Sequence, residues 1–116
     1  MQETFNNSWA VVGFDYQSAK ELMGNIIYST DKQIMKTVIN TNTILCVFSD
    51  GTTLRWIPAN TNSRGYRFGK MWCDSNIAQD LLDTVILPMY TGHLKDITWI
   101  DLRGDTIIWK KTALSG

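Results

Sequence analysis

The chain has little of what most catalytic chemistry is built from. One histidine, His93, and two cysteines, Cys46 and Cys73, occur in its 116 residues. A lone histidine with no cysteine or carboxylate at ligand spacing argues against the usual zinc sites. No serine or cysteine nucleophile pairs with it either, which sets triad hydrolysis aside. Two cysteines make no disulfide framework, and both lie in apolar, strand-like segments, where they read as buried thiols. Net charge is missing as well: eleven basic and eleven acidic residues cancel. No global field therefore draws the chain to nucleic acid or to an anionic membrane, and such binding has to come from a local patch. No apolar run approaches the ~20 residues that span a bilayer. The start, Met1-Gln2-Glu3-Thr4, lacks the basic and apolar regions of a signal peptide, so the expected location is the cytoplasm, with no membrane partner.

What is present describes one small folded domain. A hydrophobic share of 44% with 19% charged residues places the chain among globular proteins rather than disordered ones. Its length suits one continuous core and not two. The expected domain is 1–116, frayed at 1–7 and 113–116. Ser8 to Phe14 is a continuous apolar run, as in a strand buried on both faces. Asp15 can cap a following helix, in which Tyr16, Ala19, Leu22, Met23, Ile26 and Ile27 keep spacings of three and four. The stretch Asp31 to Asn40 fits a short helix nearly as well as a strand, and a helix is the reading taken. Thr43 to Phe48 and Thr52 to Ile57 flank Asp50-Gly51, a two-residue turn signal, and read as a hairpin that Pro58 ends. Phe68 to Cys73 is the next strand, closed by Asp74. A helix over Ile77 to Met89 follows, capped by Ser75 or Asn76 and ended or kinked by Pro88. Ile97 to Leu102 and Thr106 to Lys110 form a second hairpin through Arg103-Gly104-Asp105. The fold class implied is α/β, a mixed sheet of about five or six strands with two hairpins and two to three helices.

The only local concentration of basic and aromatic residues is Arg55, Trp56, Arg64, Tyr66 and Arg67, beside Phe68. Guanidinium groups pair with phosphate in a fork and aromatics stack on bases, so these residues suit a nucleic acid or a nucleotide. Arg64 is the leading residue, because an Arg-Gly turn can aim its side chain toward the strand ends, where α/β folds bind ligands. Asp74 is the carboxylate of the set. The structural alternative makes Trp56 and Phe68 core residues, pairs the arginines with Asp50 or Asp74, and leaves Asp74 as the cap of the next helix. Asp96 and Asp101 read as the wet face of their strand.

The order of these pieces resembles the part of a tailed-phage terminase large subunit, the packaging ATPase, that follows its phosphate-binding loop. The matching pieces are Phe14-Asp15-Tyr16 to Met23, the turn Ser49-Asp50-Gly51-Thr52, the loop closing on Arg64-Gly65, the strand Lys70-Met71-Trp72-Cys73-Asp74, and the helix with Pro88 near its end. The resemblance spans Ser8 to Tyr90 and implies that Asp74 stands at the Walker B aspartate. It also shows which parts are missing. No G-x-x-x-x-G-K-[ST] occurs, and the strand at Ser8 starts too near the N-terminus for one to precede it. Ser75 stands where the family has its catalytic glutamate, and none of these residues matches the family's nuclease domain. Hydrolysis of this type needs the phosphate cradle and the water-orienting carboxylate. The expectation is therefore a non-catalytic phage or mobile-element protein without a cofactor, which acts by binding nucleic acid, a nucleotide, or a phage or host protein. Two alternatives stay open: the Walker B half of a split NTPase completed by another chain, and a small phage-encoded inhibitor of a bacterial defence system.

Overall fold

The computed structural model describes residues 7–58, 67–90, 97–103 and 106–111, with Leu102, Arg103 and 106–111 described by backbone alone. Arg64 and Tyr66, with His93 and Asp96, lie outside the described residues.

The elements are β1 (Ser8–Val12), α1 (Tyr16–Ser29), β2 (Ile34–Ile39), β3 (Ile44–Phe48), β4 (Thr53–Ile57), β5 (Lys70–Asp74), a second helical segment, β6 (Thr98–Arg103) and β7 (Thr106–Lys111). Among the described residues the strands form one sheet in the order β2-β3-β4-β1-β5-β6-β7. The centre is parallel, with β1 between β4 and β5 and β6 outside β5, while hairpins pair β2 with β3, β3 with β4, and β6 with β7 antiparallel. The α/β class and mixed sheet are those expected from the sequence. The sheet gains its seventh strand at β2, where a helix was expected. Ile34, Thr37, Val38 and Ile39 are β-branched and stiff at χ1, and pairing with β3 decides in favour of the extended form.

Alternation along β1 divides the core in two. Val11 joins Leu22, Met23, Phe48, Leu54 and Trp72 beneath α1. Ala10 and Val12 join Met71, Cys73, Val85, Ile86 and Trp99 beneath the second helical segment. The two helical segments therefore cover opposite faces. In α1 the buried positions are Ala19, Leu22, Met23 and Ile26, the stripe that the spacing predicts. Asp15 caps it as expected, its Oδ1 accepting the Ser18 amide at 2.7 Å. No helix of the described residues is long and apolar enough to cross a membrane.

Two local expectations are corrected. The β3–β4 connection is a three-residue loop, Ser49 to Gly51, closed by Phe48 N–H to Thr52 O at 2.8 Å, with Gly51 at φ +91°. A left-handed glycine after a tight turn gives this longer loop, and not the two-residue one. The second helical segment begins at Gln79, after Ala78, and no side chain caps it. It runs as α2 (Gln79–Leu81), a π-helical turn (Leu82–Ile86) and α3 (Leu87–Met89). In the wide turn Leu87 N–H reaches back to Leu82 O. The turn ends two residues before Pro88, whose ring a regular α-turn would press against the carbonyl four residues back.

Candidate functional site

The topology nominates one place for a ligand. From β1 the chain leaves through α1 on one face toward β4, and from β5 it leaves through the second helical segment on the other face toward β6. The carboxyl ends of β1 and β5 are therefore a switch point, where open α/β sheets form their ligand crevice. Residues 13–15 and 74–77 meet there.

That crevice is filled by the chain itself. Gly13, at φ +101°, lets the Ile77 side chain and the Asp74 Cβ lie against its bare Cα, so that an added Cβ would stand 2.8 Å from Ile77 Cδ1. Only Gly13, Phe14 and Asp15 separate β1 from α1, too few residues for a loop whose amides wrap a phosphate. The α1 N-terminus, the natural anion site, already holds the Asp15 carboxylate. Asp74, half-buried, accepts the Asn76 amide at 2.9 Å on Oδ1, and Asn76 Nδ2 reaches Asp101 Oδ1 at 3.5 Å. Ser75 N–H continues the ladder to Ile100 O at 2.9 Å. Asp74 thus shapes its own turn before the helix and does not cap the helix directly. No group of three or more His, Cys, Asp or Glu among the described residues is placed to hold a metal ion.

Among the described residues, the predicted basic and aromatic side chains do not gather in one place. Arg55 and Trp56 are neighbours on β4 and face opposite sides of the sheet: Arg55 pairs with Ala10 of the core beneath the second helical segment, and Trp56 packs beneath α1. Trp56 Nε1 donates to Phe14 O at 3.0 Å, and its ring meets Tyr16 edge-on at 5.6 Å. It ties β4 to the β1–α1 turn, which is the structural role. Phe68 is a core residue, 3% exposed. Arg67 is exposed ahead of β5 and Asp74 ends it, so along an extended chain they stand on the order of 20 Å apart. Asp50 pairs with Lys32, not with an arginine.

A different aromatic and cationic group forms at the amino ends of the strands. Parallel register sets Trp9 beside Lys70 and Val11 beside Trp72. Lys70 Nζ lies 4.9 Å from the Trp9 ring centre and 5.1 Å from that of Trp72, and Lys32 Nζ lies 5.6 Å from Trp9. Trp9 also meets Phe48 and Trp72 at 6.1 and 5.7 Å. Sequence reasoning missed this group, because Trp9, Lys70 and Trp72 come together only through the β1–β5 pairing. Its contacts join the segment after α1 to the start of the sheet, each cation–π contact contributing about 0.5–1 kcal/mol.

No family model, curated protein or solved structure matches the chain.

A concave feature among the described residues lies between α1 and the β2–β3 hairpin. It is a half-open groove of about 220 Å³. Met23, Gly24 and Ile27 form one wall, Ile39, Ile44 and Cys46 the other, and Lys20 stands among the lining residues. Ile39, which lines it, is 50% exposed, as is Ile34 toward the other end of β2; Met35 is 66% exposed beside Ile34 and Tyr28 92% exposed near the end of α1. Burial pushes the Cys46 thiol up from its ordinary value, so the groove holds a neutral thiol and not a nucleophile.

Proposed function

We propose that this chain is a non-catalytic binding protein that works by docking on another protein, on an α/β scaffold resembling that of a phage terminase ATPase core. One observation carries the reading: the switch-point crevice is closed by the chain's own groups, with Ile77 against Gly13, Asp15 on the α1 amides and Asp74 on the Asn76 amide. A nucleotide there would have to displace a packed side chain and compete with a carboxylate already on the helix N-terminus. Large apolar side chains left exposed on β2 and at the end of α1 favour a protein partner, since exposed apolar surface of this kind is what interaction sites use. Dispersal of Arg55, Arg67 and Asp74 leaves them unable to grip one phosphate together.

Isothermal titration of the full chain with Mg²⁺-ATP and with short single-stranded DNA tests this, alongside a phosphate-release assay. Neither ligand should give heat, and no phosphate should appear. Saturable ATP binding lost in Asp74→Ala would overturn the reading in favour of the split-NTPase alternative. Saturable DNA binding lost in Arg55→Ala or Arg67→Ala would overturn it in favour of a nucleic-acid partner.

A further inference from the structure

We infer that the groove between α1 and the β2–β3 hairpin receives one large apolar side chain from an acidic, apolar segment of a partner protein. This rests on the protein-docking reading above and names the surface and the chemistry of its partner.

Glycine at position 24 opens the groove. A Cβ there would meet nothing within 4 Å, so the gap in the helix wall is open space. Lys20, Gly24 and Tyr28 follow one another at intervals of four along α1 and so share a row beside the groove. An opening of about 220 Å³ exceeds the roughly 150 Å³ that an engineered apolar cavity needs to hold benzene. It has room for a leucine, phenylalanine or tryptophan side chain. A small free ligand would fill the groove yet leave Tyr28, Ile34 and Met35 in water. A peptide segment covers both.

Three observations choose the occupant. The charged side chain lining the groove is Lys20, which is exposed; Lys36 pairs with Val47 and faces the other side of the sheet, and Lys32 is already paired to Asp50. The charge that lines the groove is therefore positive and complements an acidic residue beside the inserted side chain. The apolar area exposed by Tyr28, Ile34, Met35 and Ile39 is on the order of 500 Å², below the ~800 Å² per partner of a standard globular interface and suited to a segment. A second copy of this chain is disfavoured, because β2 carries a bulge between Ile34 and Lys36. Antiparallel pairing of two such edges centred on Thr37 would also set Lys36 of each copy near the other.

Selection from a displayed random-peptide library on the immobilised full chain, with depletion on the Gly24→Leu variant, tests the proposal. Leucine at 24 fills the groove, and a raised melting temperature would show that the variant folds. Enriched peptides should carry acidic residues around a large apolar one, and should bind the wild type about tenfold more tightly than either Gly24→Leu or Lys20→Glu. Amide shifts on titration should centre on 20–28 and 34–39. No enrichment, enrichment of basic peptides, or equal binding to Gly24→Leu would overturn it. So would a concentration-dependent dimer abolished by Met35→Asp. Nucleotide binding at Asp74 would instead overturn the non-catalytic reading and leave the peptide result standing, so the two failures are distinguishable.

Discussion

Ile77 packs on the bare Cα of Gly13, and this contact closes the boundary between β1 and β5. A Cβ on Gly13 would lie 2.8 Å from Ile77 Cδ1 and 3.1 Å from Asp74 Cβ, on a backbone at φ +101°. Gly13→Ala therefore combines left-handed strain with a clash, and should cost about 2–3 kcal/mol in urea unfolding. The clash involves the end of a flexible side chain, so in an Ile77→Ala background the same substitution should cost about 1 kcal/mol less. Equal costs in both backgrounds would mean that the strain lies in the backbone alone.

Much of this architecture is legible from local patterns. The apolar run at Ser8, the Asp15 cap and the three-and-four spacing of α1 are local signals, and the structure follows them. β2 was not legible, because Ile34, Met35, Val38 and Ile39 satisfy both periods and the pairing with β3 that decides between them is tertiary. Where the described residues of the candidate site lie was not legible for a related reason. Arg55 and Trp56 are adjacent in sequence, but adjacent strand residues point to opposite faces. Trp9 and Lys70 are sixty-one positions apart and meet because parallel pairing puts them in register.

The ion pair between Lys32 and Asp50 gives a pH signature. The Lys32 ammonium, and then the Thr52 amide, hold the Asp50 carboxyl down at about 2. Its ordinary value is about 3.9, so the pair's contribution is complete above about pH 4 and is lost as the pH falls through the folded value. Asp50→Asn should lower the melting temperature slightly at neutral pH, with the difference from wild type vanishing toward about pH 2. Added salt should shrink the neutral-pH difference, since the pair is solvent-exposed.

Both thiols should resist reagents in the folded state. Burial raises the pKa of Cys46, and burial followed by the charge of Asp74 raises that of Cys73 well beyond the usual range. The reactive thiolate is suppressed at both positions. Ellman's reagent at mildly alkaline pH should label neither cysteine quickly, and denaturant should release two equivalents, matching the two free cysteines. Cys46 should label first, because it lines the open groove. Faster labelling at Cys73 would mean that the face beneath the second helical segment opens more readily than α1 does.

The second helical segment starts without the device that starts the first. Asp15 supplies a carboxylate to the amides of α1. Ala78 sits at the corresponding position before Gln79, with φ −57° and ψ 137°, and offers no side chain. Its backbone is already extended, as an N-cap requires, so serine or aspartate at 78 needs no rearrangement. Ala78→Asp should stabilise the chain by about 1 kcal/mol and Asp15→Ala should destabilise it by a similar amount. The two sites lie on opposite faces of the sheet, so the double variant should return near wild-type stability in urea unfolding. A shortfall would mean that the π-turn at Leu82–Ile86 holds the helix start in a geometry that an added cap disturbs.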